Sequence, residues 1–210
     1  MPTPNDNKDR MILLTGELEF AHLEKRLHSV SADLVIEHAA DIKQLEELLN
    51  DETTGRCRLV AYCTKWIIPG ALLEKVSDSS YNFHPGPPDY PGSHAAGFAI
   101  YDAKDRFGVT VHEIKKAVDA GNIVAVDYFR IPVNADLEDL EIISYQTMLS
   151  LFDRLMDKLV DFEHALEPTG DKWSGRKTTI GDVEKMHQGW GVLDDNERTL
   201  RTRAFGAPVQ

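Results

Sequence analysis

Leu59-Val60-Ala61-Tyr62-Cys63 is a near-continuous apolar run, the mark of a strand covered on both faces, as strands are in a parallel sheet flanked by helices. Pro69 follows where it can open a helix through Leu72 and Leu73, because proline is pre-set for the first helical turn. The same alternation runs twice upstream. Met11 to Thr15 is a short apolar run ended by Gly16, after which Phe20, Leu23 and Leu27 recur at helical spacing. Leu34 to Ile36 is a second short strand, and Asp41 then stands where it can cap a helix with Ile42, Leu45 and Leu49 on one face. Repeated strand and helix predict an α/β domain with a parallel sheet.

Downstream the text changes. Tyr81 to His84 is a short strand that runs into a loop carrying Pro85, Gly86, Pro87, Pro88, Pro91 and Gly92, a density of proline that fixes a rigid path. Ala95 to Tyr101 predicts a helix. Phe107 to Ile114 and Ile123 to Pro132 both alternate as strands, joined by a segment containing Asp119, Ala120 and Gly121. The longest helix is expected from Asp136 to about Leu166, as one helix or two abutting ones, with Leu140, Ile143, Thr147, Leu151, Leu155, Leu159 and Phe162 on one stripe. That stripe is assigned to covering a sheet face, with a homodimer contact as the alternative. Beyond Pro168 and Gly170 little periodicity is visible, and the remaining chain is expected to wrap the surface.

A chain of 210 residues fits one domain of ordinary size. Its net charge of −12 repels phosphate backbones. No basic run offsets it, since Arg198, Arg201 and Arg203 read as an ordinary solvated tail, so no nucleic-acid partner is expected. Met1 to Arg10 is polar, and nowhere do about 18 apolar residues run together as a membrane span requires. A soluble, cytoplasmic protein with no membrane partner is expected. Cys57 and Cys63 are too few for a disulfide framework and read as buried, inert thiols.

Asn82 and His84 are the most informative pair, because positions i and i+2 of a strand point to the same face. Both stand at the end of a parallel strand, where open α/β sheets place ligands. Such a pair suits acyl transfer to an amine. An amide donor can stabilise an oxyanion, a contribution of about 3 to 4 kcal/mol. A histidine can move the proton between attacking and leaving nitrogens, and a carboxylate such as Asp119 can hold the ring and set its charge. No metal is required. Read alone, an Asn-x-His pair also fits a structural turn, His94 and His112 fit hydrogen-bonded scaffold, and Asp119 before Gly121 fits a turn residue.

The stretch Asn82-Phe83-His84-Pro85-Gly86-Pro87-Pro88 with Pro91-Gly92, then Gly108-Val109-Thr110-Val111-His112, then Val118-Asp119-Ala120-Gly121, resembles the folate-dependent formyltransferase family. The ordered match runs from about Leu59 to Pro132. The family's members act on glycinamide ribonucleotide, methionyl-tRNA or amino sugars, and a deformylase hydrolyses the same donor. The resemblance implies an open Rossmann-like, mostly parallel sheet, with residues 11–166 as the catalytic domain and 167–210 as an extension. It implies 10-formyltetrahydrofolate as the formyl donor and a small-molecule amine as the acceptor. Carried over, the catalytic residues are Asn82, His84 and Asp119. The donor pocket falls on Thr64, Trp66, Ile67, Ile68 and Leu72 with Lys115 and Val118, Trp66 fitting plain core equally well. Acceptor contacts fall on Gly86, Gly92, His94 and His112.

The departures bear on the acceptor. Gly86-Pro87-Pro88-Asp89 replaces the family's usual Ser-Leu-Leu-Pro, and the part before Leu59 is short for the family, so the sheet is expected to be shortened at its N-terminal side. Glu17 and Glu19 stand where the ribonucleotide enzyme carries a glycine-rich phosphate loop, and carboxylates there disfavour a phosphorylated acceptor. The tRNA enzyme's additional C-terminal domain has no counterpart in these residues. Lys172-Trp173-Ser174-Gly175-Arg176-Lys177-Thr178-Thr179 resembles the region after the core in tRNA-type and sugar-type members. An amino sugar or related amine is therefore the expected acceptor, with hydrolysis of the donor or non-catalytic folate binding as alternatives.

Overall fold

The computed structural model describes residues 8–51 and 55–208; the polar leader read at residues 1–10 lies, as far as residue 7, outside the described residues. β1 (Arg10–Leu14) is buried along its whole length. It is followed by α1 (Glu17–Val30), β2 (Val35–Ala39), α2 (Ile42–Asn50) and β3 (Cys57–Tyr62), so the short opening holds two complete strand–helix units. Asp41 caps α2 as expected, its carboxylate accepting from the Gln44 amide at 2.9 Å. Pro69 precedes α3 (Gly70–Leu73), and β4 (Ser80–His84), α4 (Ala95–Tyr101), β5 (Arg106–Glu113) and β6 (Ile123–Arg130) follow.

The six strands lie in the order β2-β1-β3-β4-β5-β6. β2, β1, β3 and β4 run parallel, and β5 pairs antiparallel with both β4 and β6, so that β6 returns to the direction of the first four. This is the open, Rossmann-like, mostly parallel sheet expected. Because side chains alternate along a strand, one face carries Met11, Leu13, Val60, Tyr62, Tyr81 and Phe83 under α1 and the long helix α5 (Leu137–Leu159), while the other carries Ile12, Leu14, Leu59 and Ala61 under α2 and α3. Asn82 and His84 continue that second face into β4, where the apolar cover ends.

α5 covers a sheet face, as expected, but its stripe is corrected. The buried residues are Leu140, Ser144, Met148, Leu151, Phe152, Leu155 and Leu159. The rows Leu140–Ser144–Met148–Phe152 and Leu151–Leu155–Leu159 face the sheet, and Ile143 and Thr147 fall at the edge of that face and are only half-buried. The helix also stops at Leu159, short of Leu166. Arg58, fully buried, donates to the carbonyls of Lys158, Leu159, Asp161 and His164 and pairs with Asp78 at 2.7 Å. Its guanidinium supplies the donors that the terminal carbonyls lack.

The residues after Pro168 hold more structure than their pattern suggests. α6 (Ile180–Met186) and α7 (Asp195–Phe205) form there, and α7 packs on α4 with Ala204 buried. α7 lacks an apolar stripe because caps and ion pairs stabilise it instead: Asp194 accepts from the Glu197 amide, and Glu197 takes Arg201 at 2.6 Å and the Tyr101 hydroxyl at 2.8 Å. Arg201 is thus part of the packing. Cys57 is buried as read, but Cys63 is exposed; it is the first residue past β3, and its left-handed backbone (φ 47°) turns the chain out of the sheet. No described helix is long and apolar enough to cross a membrane.

Candidate active site

β4 and β5 assemble the centre. Antiparallel pairing sets Asn82 opposite His112 and His84 opposite Thr110, so all four side chains share one face. The Asn82 amide nitrogen lies 3.1 Å from His112 Nε2. Thr110 donates its hydroxyl to the Gly86 carbonyl at 2.7 Å and holds the start of the proline-rich loop. That loop turns back so that the Tyr90 carbonyl accepts from His84 Nε2–H at 3.1 Å.

Asp119 enters from the β5–β6 connection with a left-handed backbone (φ 47°), a conformation aspartate tolerates better than most residues. Its carboxylate accepts from the Gly92 amide at 2.7 Å and stands 3.2 Å from His112 Nε2. His84 Nδ1 is 3.7 Å away, beyond direct hydrogen bonding. Burial pushes this carboxyl up, but the hydrogen bond from His112, the nearby His84 and the Gly92 amide outweigh it and hold the pKa down to about 2. His84 shifts the other way. Burial drives it below its ordinary value, partly opposed by the Asp119 charge and the Tyr90 carbonyl. With Nε2–H given to Tyr90, Nδ1 is the nitrogen left to exchange a proton, and Asp119 is beside it to balance the charge.

His112 Nδ1–H donates to the Glu113 carbonyl at 2.7 Å. Its Nε2 stands between a donor, Asn82, and an acceptor, Asp119.

These groups form one wall of a cavity of about 700 Å³, a size ordinary for a small-molecule site. Thr64, Trp66, Ile67, Ile68, Lys115 and Val118 line it, as do Gly92, His94 and His112. Trp66 is not core: the residue is 40% exposed, and its indole N–H is tied to the Ala40 carbonyl at 2.9 Å. Two assignments fall elsewhere. Leu72 is buried in the cluster beneath β1 and β3, off the cavity wall. Gly86 is also off the wall, because its α-carbon lies against the His84 ring and Ala95, leaving no room for a side chain.

The sequence reading missed three contributions from the C-terminal segment. Lys177 to Gly181 line the cavity. Thr178 is buried and bonds through its backbone to Pro91 and Ser93. Trp173 stands against both histidines. The polar character of Thr178 and Lys177 gave no local signal; only the pairing of this segment with Gly92 brings it in.

A family model described as Formyl transferase matches residues 23–145. A methionyl-tRNA formyltransferase of Finegoldia magna is 19% identical over 84% of this chain and 55% of its own. The chain spans about half the length of that relative, and less of two other formyltransferases it matches. Among solved structures, a sugar N-formyltransferase from Shewanella superposes with a TM-score of 0.73 at 17% identity, over 94% of this chain and 87% of that one. The formyltransferase PseJ from Anoxybacillus kamchatkensis, solved with tetrahydrofolate and a UDP-linked formamido sugar, gives 0.70 at 19% identity, over 94% and 98%. These superpositions carry the fold.

Proposed function

The chain belongs to the formyl transferase family, and from that premise we propose that it moves a formyl group from 10-formyltetrahydrofolate to the amine of a small molecule, an amino sugar or a related amine. The observation that carries this reading is the convergence of Asn82, His84 and Asp119 on one wall of the cavity whose other walls include Trp66, Ile67 and Ile68. Apolar and aromatic side chains suit a flat pterin, and the lysines of the rim, Lys65, Lys115 and Lys177, suit the donor's carboxylates. Complexes of sugar N-formyltransferases with folates and nucleotide-linked sugars, among them that of PseJ, support both the donor and the acceptor class.

The donor supplies an activated formyl carbon. Asn82, which lines the cavity, offers an amide hydrogen to the oxyanion that develops on the formyl oxygen. His84, kept neutral by burial, takes the proton from the attacking amine at Nδ1 and returns it to the departing nitrogen of the donor. Asp119, ionised at any physiological pH, stabilises the transient imidazolium. Glu17 and Glu19 occupy the first turn of α1, where carboxylates complement the helix dipole and leave no anion site. This favours an acceptor whose phosphates, if any, lie away from that turn.

The test mixes the protein with 10-formyltetrahydrofolate and a panel of amines that includes free and nucleotide-linked amino sugars. Amine-dependent release of tetrahydrofolate is expected. His84→Ala should abolish it while donor affinity stays within a few-fold, since the histidine acts in the transition state. Equal turnover without amine would instead mean hydrolysis. Saturable donor binding without turnover would mean a binding protein.

A further inference from the structure

Trp173 lies outside the stretch that matches the family model and does not line the cavity. Its ring nevertheless meets both histidines edge-on. The centroid of His84 is 5.7 Å away with the planes at 71°, and that of His112 is 5.0 Å away at 86°. These are favoured aromatic geometries. The indole N–H donates to the Gly121 carbonyl at 2.9 Å, two residues past Asp119 on the same connection. Trp173 is itself held, because the Ser174 amide donates to the Pro88 carbonyl at 2.9 Å and Gly175 (φ 75°) packs directly on the backbone of Asp89.

We infer that Trp173 is a positioning residue of this site: it braces the His84 and His112 rings from behind and ties them to the connection that carries Asp119. The physical need is plain. An imidazole turns about two side-chain bonds, and the Tyr90 carbonyl fixes only one atom of the His84 ring. A second contact, the indole against the ring, limits the remaining rotation. The indole does this for two rings at once, and its N–H keeps the Asp119 connection in step with them. Activity then depends on a residue that touches no substrate. The kinetic part of the inference rests on the formyl-transfer reading; the structural part does not.

The test compares wild-type protein, Trp173→Phe and Trp173→Leu, each nitrogen-15 labelled, by the long-range proton–nitrogen correlations of the imidazole rings without substrate, and then by turnover. In Trp173→Leu the His84 and His112 resonances are expected to shift, and kcat to fall about tenfold or more with the donor KM within about twofold, as misplaced catalytic groups require. Opening His84 to water relieves its burial, so the acidic limb of kcat moves up in pH. Asp119 and His112 are the titratable groups facing His84, and both remain. Trp173→Phe keeps one aromatic ring but loses the N–H and the second ring of the indole, so smaller changes of the same sign are expected; it decides the matter if the leucine variant does not fold. Unchanged imidazole resonances in the folded variants would overturn the inference. So would a raised KM with kcat unchanged, which would make Trp173 a binding wall. A wild type that releases tetrahydrofolate with no amine refutes formyl transfer alone, and the resonances still decide the bracing.

Discussion

Gly86→Ala adds one methyl group at a place where the site has no space for it. A β-carbon there would lie 2.5 Å from His84 Nε2 and 2.8 Å from the β-carbon of Ala95. Carbon contacts are comfortable only near 3.5 Å, so the ring must retreat by about 1 Å. It has nowhere to go cheaply: Nε2 is bonded to the Tyr90 carbonyl, His84 is 5% exposed, and Trp173 stands behind it. Backbone strain plays no part, because Gly86 is not among the positive-φ glycines. Overpacking of this kind costs about 1 to 3 kcal/mol of stability, and a 1 Å misplacement of a reacting group costs on the order of a hundredfold in rate. Urea unfolding reads the first number and amine-dependent kcat the second, while donor affinity should hold because Gly86 lies off the cavity wall. A folded Gly86→Ala protein with wild-type kcat would refute the reasoning, since it would show that the position of His84 does not depend on the missing side chain.

Asn82→Ala should lower kcat by about 100- to 1,000-fold, the usual loss for one oxyanion donor, with donor binding measured by titration unchanged. Asp119→Asn removes the charge that opposes burial at His84, so the acidic limb of the residual activity should move to lower pH; a pH–kcat profile that moves up or stays fixed contradicts the assignment. The Asp119 carboxyl also links stability to acid. Its folded pKa of about 2 lies below the ordinary 3.8, so its contribution is complete above 3.8 and is lost as pH falls through about 2, which urea midpoints of the two proteins against pH would show. Arg58→Met leaves Asp78 and several helix-end carbonyls without their buried partner, and should cost about 3 kcal/mol or more by urea unfolding.

The fold and half of the site were legible in the chain. Apolar runs and helical spacing placed the strand–helix units, since those patterns are local consequences of which faces are buried. The two-residue period of a strand likewise put Asn82 and His84 on one face. Asp119 read as a turn residue from its own neighbours, and only the ordered resemblance to a family singled it out. The end of α5 was missed because it depends on Arg58, about a hundred residues away in the chain.

Sequence by itself determined the α/β class, the strand that carries the asparagine and histidine, and the proline-stiffened loop behind them. Tertiary structure alone decided that His112 stands between Asn82 and Asp119, because the β4–β5 register sets it opposite Asn82 and the β5–β6 connection brings Asp119 to 3.2 Å from it. It also decided that Gly86 must lack a side chain to make room for His84, and that Trp173, far downstream in the chain, stands edge-on against the His84 ring. Periodicity reports which face of an element is covered; it carries no record of what covers it, and a contact between distant segments leaves no mark on either one's local pattern.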